Sequence, residues 1–249
     1  MLKIYGVPIS VHTRKVIIAA IEKQLKFEND PVIPFNPPAG WDRLSPTGKI
    51  PVVAIDDFEL ADSSVICAYL EQTHPEPALY PREAKERARA LWLEEYCDST
   101  LFRDVVHGLF FQNVIRPKIL QQPTDRAAID AILRQALPKV FGYLESQMTD
   151  GHLVGNRFGI ADIALACNLV NYHYLGYRID AARYPKLERT FRRLCQHPSI
   201  AAALRTEQPV AKTMGLDLTA IDAIARPRLT ILFPPCGGRM RSLGERSEL

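Results

Sequence analysis

Four short stretches carry residue types that can meet a ligand as readily as each other. Ser10 stands between a short apolar run and a helical pattern, where a hydroxyl either caps the helix or faces a bound group. Pro51 sits at the mouth of the apolar run Val52-Val53-Ala54-Ile55, where proline is tolerated only at a sheet edge, a first position or a bulge. A cis bond before it costs only about 0.5–1 kcal/mol and turns the backbone of Ile50 outward, toward an extended ligand that docks like one more strand. Without a ligand, the same proline simply ends an edge strand. Asp62 and Ser63 open the helical pattern "LADSSV". The unpaired N–H groups and dipole of a helix start attract a carboxylate, and Asp62 can pair with an ammonium group. Taken alone, the pair is a plain cap. Lys49, next to Ile50, is placed to meet a second carboxylate.

The elements that must position these residues fall into two rhythms. Residues 2–77 alternate strand-like and helix-like runs in the order β-α-β-β-β-α, with "VVAIDDFEL" reading as an antiparallel hairpin. A Pro- and Gly-rich loop, "PFNPPAGWDRLSPTGK", leads into that hairpin, and Pro75 and Pro77 stop the last helix. After "HPEPALYP" the pattern is all helical. One long run covers 82–116, weakened only at His107-Gly108. A second covers about 125–148 with a kink expected at Pro138. "GIADIALACNLVNYHYLGY" is apolar nearly all round, as in a helix buried at the centre of a bundle. Two helices separated at Pro198 follow. The division predicted is 1–77 for the α/β domain, 84–225 for the helical domain and 226–249 for a poorly ordered basic tail.

Composition narrows the function classes. The chain has 249 residues, 47% hydrophobic and 24% charged, as expected of a soluble globular protein with a real core. Five of its 31 basic and two of its 28 acidic residues lie in 226–249, so the net charge of +3 resides there and the rest is balanced. That tail is too sparse in charge to define a nucleic-acid or lipid binder. Five cysteines (Cys67, Cys97, Cys167, Cys195 and Cys236) with no C-x-x-C spacing predict neither a disulfide scaffold nor a metal site. The opening "MLKIYGVPIS" lacks a signal-peptide layout and no run approaches a membrane span, so the expectation is a cytoplasmic, reduced chain without membrane or nucleic-acid partners.

Taken together, the four stretches describe one ligand. It has a carboxylate and an ammonium at one end, a peptide-like middle docking at Ile50, a second carboxylate near Lys49 and a nucleophile near Ser10. Glutathione has that layout. The sequence resembles the glutathione S-transferases, nearest to their serine-type branch of theta, delta, phi and bacterial members. "KIYGVPISVHTRKVIIAAIEK" resembles the family's opening, "SPTGKIPVV" its cis-proline segment, "LADSSVICAYLE" its acidic-Ser pair and "GNRFGIADIALA" the start of its central helix. The likeness covers roughly residues 1–206. It implies a thioredoxin-like α/β N-terminal domain followed by an all-α C-terminal bundle, glutathione as co-substrate, a role in detoxification and a homodimer formed by faces near 62–74 and 82–110. Two departures stand out. Gly159 takes the place of the usual Ser or Thr cap, leaving Asp162 to reach the backbone and Phe158 to staple against Ile163. The loop before "SPTGK" carries Trp41 and Arg43 where relatives use other polar residues.

The resemblance implies that Ser10 donates to the glutathione thiolate, with Lys49, Ile50, Pro51, Asp62 and Ser63 holding the tripeptide. Tyr5 is the competing donor, since other branches use a tyrosine at the end of this strand. A small hydrophobic electrophile is expected against Val11, His12, Phe102, His107, Phe110 and Phe111, several of which must be core. An acid–base role for His12 competes with that of a solvated residue at a helix start. Conjugation, peroxide reduction, dehalogenation and isomerisation remain open. A binding or scaffold protein on the same fold is the rival from another class. A thiol-disulfide oxidoreductase is disfavoured because no cysteine opens the first helix.

Overall fold

The computed structural model describes residues 1–149 and 151–225. The segment 226–249, expected to be a poorly ordered basic tail, and with it Cys236, lies outside the described residues.

Strand β1 (Leu2–Tyr5) alternates buried Leu2 and Ile4 with half-exposed Lys3 and Tyr5, the period of a strand with one covered face. It pairs in parallel with β2 (Phe27–Asp30) and antiparallel with β3 (Val52–Ile55), which forms a hairpin with β4 (Phe58–Ala61). The four-stranded order is β2-β1-β3-β4. Helix α1 (Val11–Glu22) joins β1 to β2, and α3 (Ser63–Thr73) follows β4. The loop between β2 and β3 was expected to be irregular, yet it holds a single helical turn, α2 (Trp41–Leu44), behind the left-handed Gly40. That turn is too short to show a helical period. It forms because Trp41 buries itself beside Val32 and Val52 in a small second core.

The helical half begins with α4 (Ala84–Glu95). It runs on without a break through wider, π-type turns at Tyr96–His107, the α-helical α5 (Gly108–Phe110) and further π-type turns at Phe111–Ile119. Gly108 therefore does not interrupt the long run. After α6 (Arg126–Ala131) the helix continues through a π-type stretch at Ile132–Ala136 into α7 (Leu137–Gln147), and Pro138 lies inside this run directly after the wider turns. Helix α8 (Ile160–Tyr174) is buried along its whole length and packs against α1, α4 and the Tyr96–His107 segment. Helices α9 (Pro185–Cys195), α10 (Pro198–Thr213) and α11 (Thr219–Ala225) complete the bundle.

The start of α8 explains its unusual cap. A side chain at Gly159 would place its Cβ 2.8 Å from the Leu79 carbonyl, which accepts from Ile160 N–H at 2.9 Å. Backbone contact between linker and helix thus excludes Ser or Thr. Asp162 compensates by accepting from Gly159 N–H and Leu153 N–H, each at 3.1 Å. Phe158, expected to staple Ile163, stacks its ring on His197 at 3.7 Å.

Because α1 is wedged between sheet and bundle, every residue from Val11 to Ala20 except His12 is buried, Arg14 and Lys15 included. Burying two adjacent cations requires partners in the second domain. Arg14 finds Glu207 on α10, and Lys15 finds Glu94 on α4 and Asp98 beyond it.

Candidate functional site

The sheet register brings the candidate residues to one end. Tyr5 and Ala61 both pair with Val52. β1 and β4 therefore finish where β3 begins, and the chain leaving them reaches Ser10 and Asp62 on either side of Ile50-Pro51. Gly6 permits the close approach at this end. A Cβ on it would lie 2.4 Å from Thr13 Oγ1 and 3.2 Å from Ile50 Cβ, and its φ of +145° suits only glycine.

The Ile50-Pro51 bond is cis, and the backbone N–H and C=O of Ile50 make no hydrogen bond among the described residues. Lys49 is exposed and forms no ion pair there; its carbonyl accepts from Ser45 Oγ at 2.7 Å, which fixes the loop.

Asp62 caps α3 from a strained backbone, φ 77° with ψ 125°, outside the left-handed helical region. Oδ1 accepts from Ser64 N–H at 2.9 Å and Val65 N–H at 3.2 Å. Oδ2 has no protein partner among the described residues, so one carboxylate oxygen holds the helix and the other faces out. The buried Ser63 also makes no side-chain hydrogen bond.

Ser10 caps α1, but loosely: its Oγ accepts from Thr13 N–H at 3.5 Å, and its own O–H has no acceptor among the described residues. The hydroxyl is half-buried at the positive end of a twelve-residue helix. Tyr5, the competing donor, stacks edge-on against Trp41 at 6.2 Å and lies under the Lys3 ammonium at 4.9 Å. Trp41 is buried with its indole N–H unpartnered, and Arg43 is exposed.

The second-substrate candidates separate into two groups. His12, Phe102, His107 and Phe111 form a continuous series of rings, with centroids 4.6, 5.4 and 6.5 Å apart in turn. Val11 lies instead in the main core at 2% exposure, and Phe110 stands outside the ring series.

Beneath this wall lies a polar network that the sequence reading missed. Lys15 Nζ donates to Ser64 Oγ and Glu94 Oε1, each at 2.8 Å, and to Asp98 Oδ2. Burial alone would discharge Lys15, but Asp98 and Glu94 reverse that and hold it protonated. Ser64 thereby ties the start of α3 to the helical domain. The available signal was the adjacent Arg14-Lys15 pair, the only Lys, Arg, Asp or Glu residues within 11–21.

A cavity of about 430 Å³ lies elsewhere, between the interdomain linker at Leu79–Glu83 and the segment Val154–Asp162, and contains none of these candidates. No helix among the described residues is long and apolar enough to cross a membrane.

A small mixed α/β sheet domain followed by a helical bundle, with backbone and carboxylate groups left open at one sheet end, defines the class of this two-domain fold. Residues 4–78 match the glutathione S-transferase N-terminal domain and 110–207 its C-terminal domain. The chain belongs to the glutathione S-transferase family. Among curated relatives it is 29% identical to the "Uncharacterized GST-like protein YibF" of Escherichia coli over 84% of this chain and all of the other. It is 29% identical to "FtsZ-localized protein A" of Caulobacter vibrioides, over 68% and 76% of the two chains. It is 30% identical to the "Probable maleylacetoacetate isomerase" of Vibrio cholerae, over 70% and 79%. Among solved structures, a glutathione S-transferase from Rhodospirillum rubrum superposes with a TM-score of 0.74 at 26% identity, covering 82% of this chain and 92% of the other. One from Methylobacterium radiotolerans, in complex with glutathione sulfonate, gives 0.68 at 27% identity, covering 81% and 93%.

Proposed function

We propose that the protein is a glutathione transferase that binds glutathione as co-substrate and activates its thiol through Ser10 and the N-terminus of α1. The observation that carries this reading is the set of open groups at one sheet end: the Ile50 backbone, Asp62 Oδ2 and the Ser10 hydroxyl. They match, in order, the peptide middle, the ammonium end and the thiol of one tripeptide. Ser63 accommodates the α-carboxylate, and Lys49 the glycyl one. A free thiol with a pKa of about 8.5 is only a few per cent ionised at neutral pH. Lowering it by about two units requires ~2.7 kcal/mol of preferential thiolate binding, within the range of one charge-assisted hydrogen bond plus a helix dipole. The thiolate then attacks a small hydrophobic electrophile held against the ring series of His12, Phe102, His107 and Phe111.

A homodimer accords with the exposed apolar side chains of Phe58 and Val65 on β4 and α3 and of Leu91 and Trp92 on α4, each more than 40% exposed. A cytoplasmic detoxifying role follows from the same reading. The alternative, a binding or scaffold protein of this fold with little catalysis, draws on the likeness to FtsZ-localized protein A. Isothermal titration with reduced glutathione tests both. Saturable binding weakened by Asp62→Ala supports the glutathione site, and turnover of an electrophile that falls in Ser10→Ala then separates a transferase from a protein that only binds. No binding at millimolar glutathione puts the scaffold first.

A further inference from the structure

His12 stands at the second position of α1, two residues beyond Ser10, and is held from one side only. Its Nδ1 faces Asp98 Oδ1 at 3.8 Å, and both atoms are sealed from solvent with no other hydrogen-bond partner. Asp98 cannot turn away, because its Oδ2 is held by Lys15 and by Ser64 Oγ. A shift of under an ångström closes the Nδ1–H···Oδ1 contact. That fixes the tautomer and leaves the Nε2 lone pair free. Nε2 itself has no hydrogen-bond partner among the described residues and keeps solvent contact, and the ring packs edge-on against Phe102 at 4.6 Å. The base is therefore oriented from behind and open in front, toward the aromatic wall.

Four charged groups act on His12 from the elements around it: Asp98 from the Tyr96–His107 segment, Lys15 from α1, Asp62 from the start of α3 and Lys49 from the loop before β3. Burial lowers its pKa below the ordinary 6.5, with Asp98 opposing, so the imidazole is neutral at neutral pH and ready to accept a proton.

We propose that His12, oriented by Asp98, is the proton relay of the site, called on when glutathione adds across an activated double bond. The proposal rests on the transferase reading. The thiol S–H bond breaks and its proton passes to Nε2. Sulfur then forms its bond to the β-carbon, and the electron pair of the double bond moves onto the α-carbon and carbonyl. His12 returns the proton to the α-carbon, and no group leaves. Displacement of a halide uses only the first of these tasks: the halide leaves as the anion, no α-carbon awaits a proton, and His12 releases its proton to solvent. The planar rings of Phe102 and His107 suit a flat, conjugated acceptor.

The test compares addition of glutathione to benzylideneacetone with chloride displacement from chlorodinitrobenzene, in wild type and His12→Asn. Loss of a general acid–base group is expected to lower the ratio of addition to displacement about 10²-fold. Glutathione binding followed by calorimetry should persist. An independent readout is the His12 imidazole titration by NMR without any second substrate: Asp98→Asn should lower its pKa, because a negative charge that favours the imidazolium is removed. An unchanged ratio in a variant that still binds glutathione, or a His12 titration insensitive to Asp98→Asn, overturns the relay alone. A wild type that binds no glutathione overturns both the relay and the transferase reading.

Discussion

Arg14 and Glu207 meet across the two domains as a two-pronged ion pair, Nε to Oε2 at 2.7 Å and Nη2 to Oε1 at 2.9 Å, with each side chain 1% exposed. The remaining Arg14 donors reach the carbonyls of Cys167 and Ile9 and Asn171 Oδ1, and Tyr174 donates to Glu207 Oε1 at 2.6 Å. A fully hydrogen-bonded buried pair adds little net stability, but removing one partner strands a charge. Arg14→Met is expected to cost about 3–5 kcal/mol in urea unfolding, with Arg14→Met/Glu207→Gln recovering a substantial part. A single variant as stable as wild type would show that Glu207 does not depend on Arg14.

The Ser10 hydroxyl and the Tyr5 ring make opposite predictions. Ser10→Ala should raise the thiol pKa of bound glutathione toward about 8.5, read from thiolate absorbance, and lower turnover at neutral pH accordingly. Loss of its cap should cost only about 1 kcal/mol, and less if the 3.5 Å contact is weak. Tyr5→Phe should leave both readings near wild type, since the Tyr5 ring packs on Trp41 and its hydroxyl has no partner among the described residues. The reverse pattern would move the thiolate to Tyr5.

Asp62 divides its carboxylate between helix and ligand, and the two duties separate by substitution. Asp62→Asn keeps a capping oxygen and the same side-chain shape, so the melting temperature should barely change. Losing the charge should weaken glutathione binding by about 1.5–3 kcal/mol, or roughly 10–100-fold by calorimetry. Equal affinity in the Asn variant would leave Asp62 a cap and nothing more.

Acid should destabilise the fold through His173, which is buried in α8. Its ring stacks on Phe191 at 4.4 Å and Nδ1–H donates to the Leu169 carbonyl at 2.8 Å. Burial pushes its pKa from 6.5 down to about 4. Between those values the unfolded chain holds a proton that the folded chain lacks. The contribution is therefore complete above about pH 6.5 and falls as pH drops toward 4, by about 3 kcal/mol over the whole window. Urea unfolding at pH 7 and pH 4.5 should show a smaller loss for His173→Asn than for wild type. Equal losses would assign the acid sensitivity to other groups.

Much of this protein was legible in the order of its residues. Strand and helix periods, the turn at Asp56-Asp57 and the prolines closing α3 are local signals, and they determined the two-domain architecture. Motif spacing along the chain was enough to nominate Ser10, Ile50-Pro51 and Asp62-Ser63, because each lies at an element boundary that the sequence itself marks. Contacts between distant segments were decided only by tertiary structure. Lys15, Glu94 and Asp98 are separated by up to 83 positions, and nothing in the spacing of single charges says which will be buried together. The same limit hid the reason for Gly159, a carbonyl 80 residues earlier, and split Val11 from its neighbour His12. Local periodicity is set by backbone geometry within one element. Which side chains share a low-dielectric space depends on how elements dock, and docking is settled by the packing of the whole core.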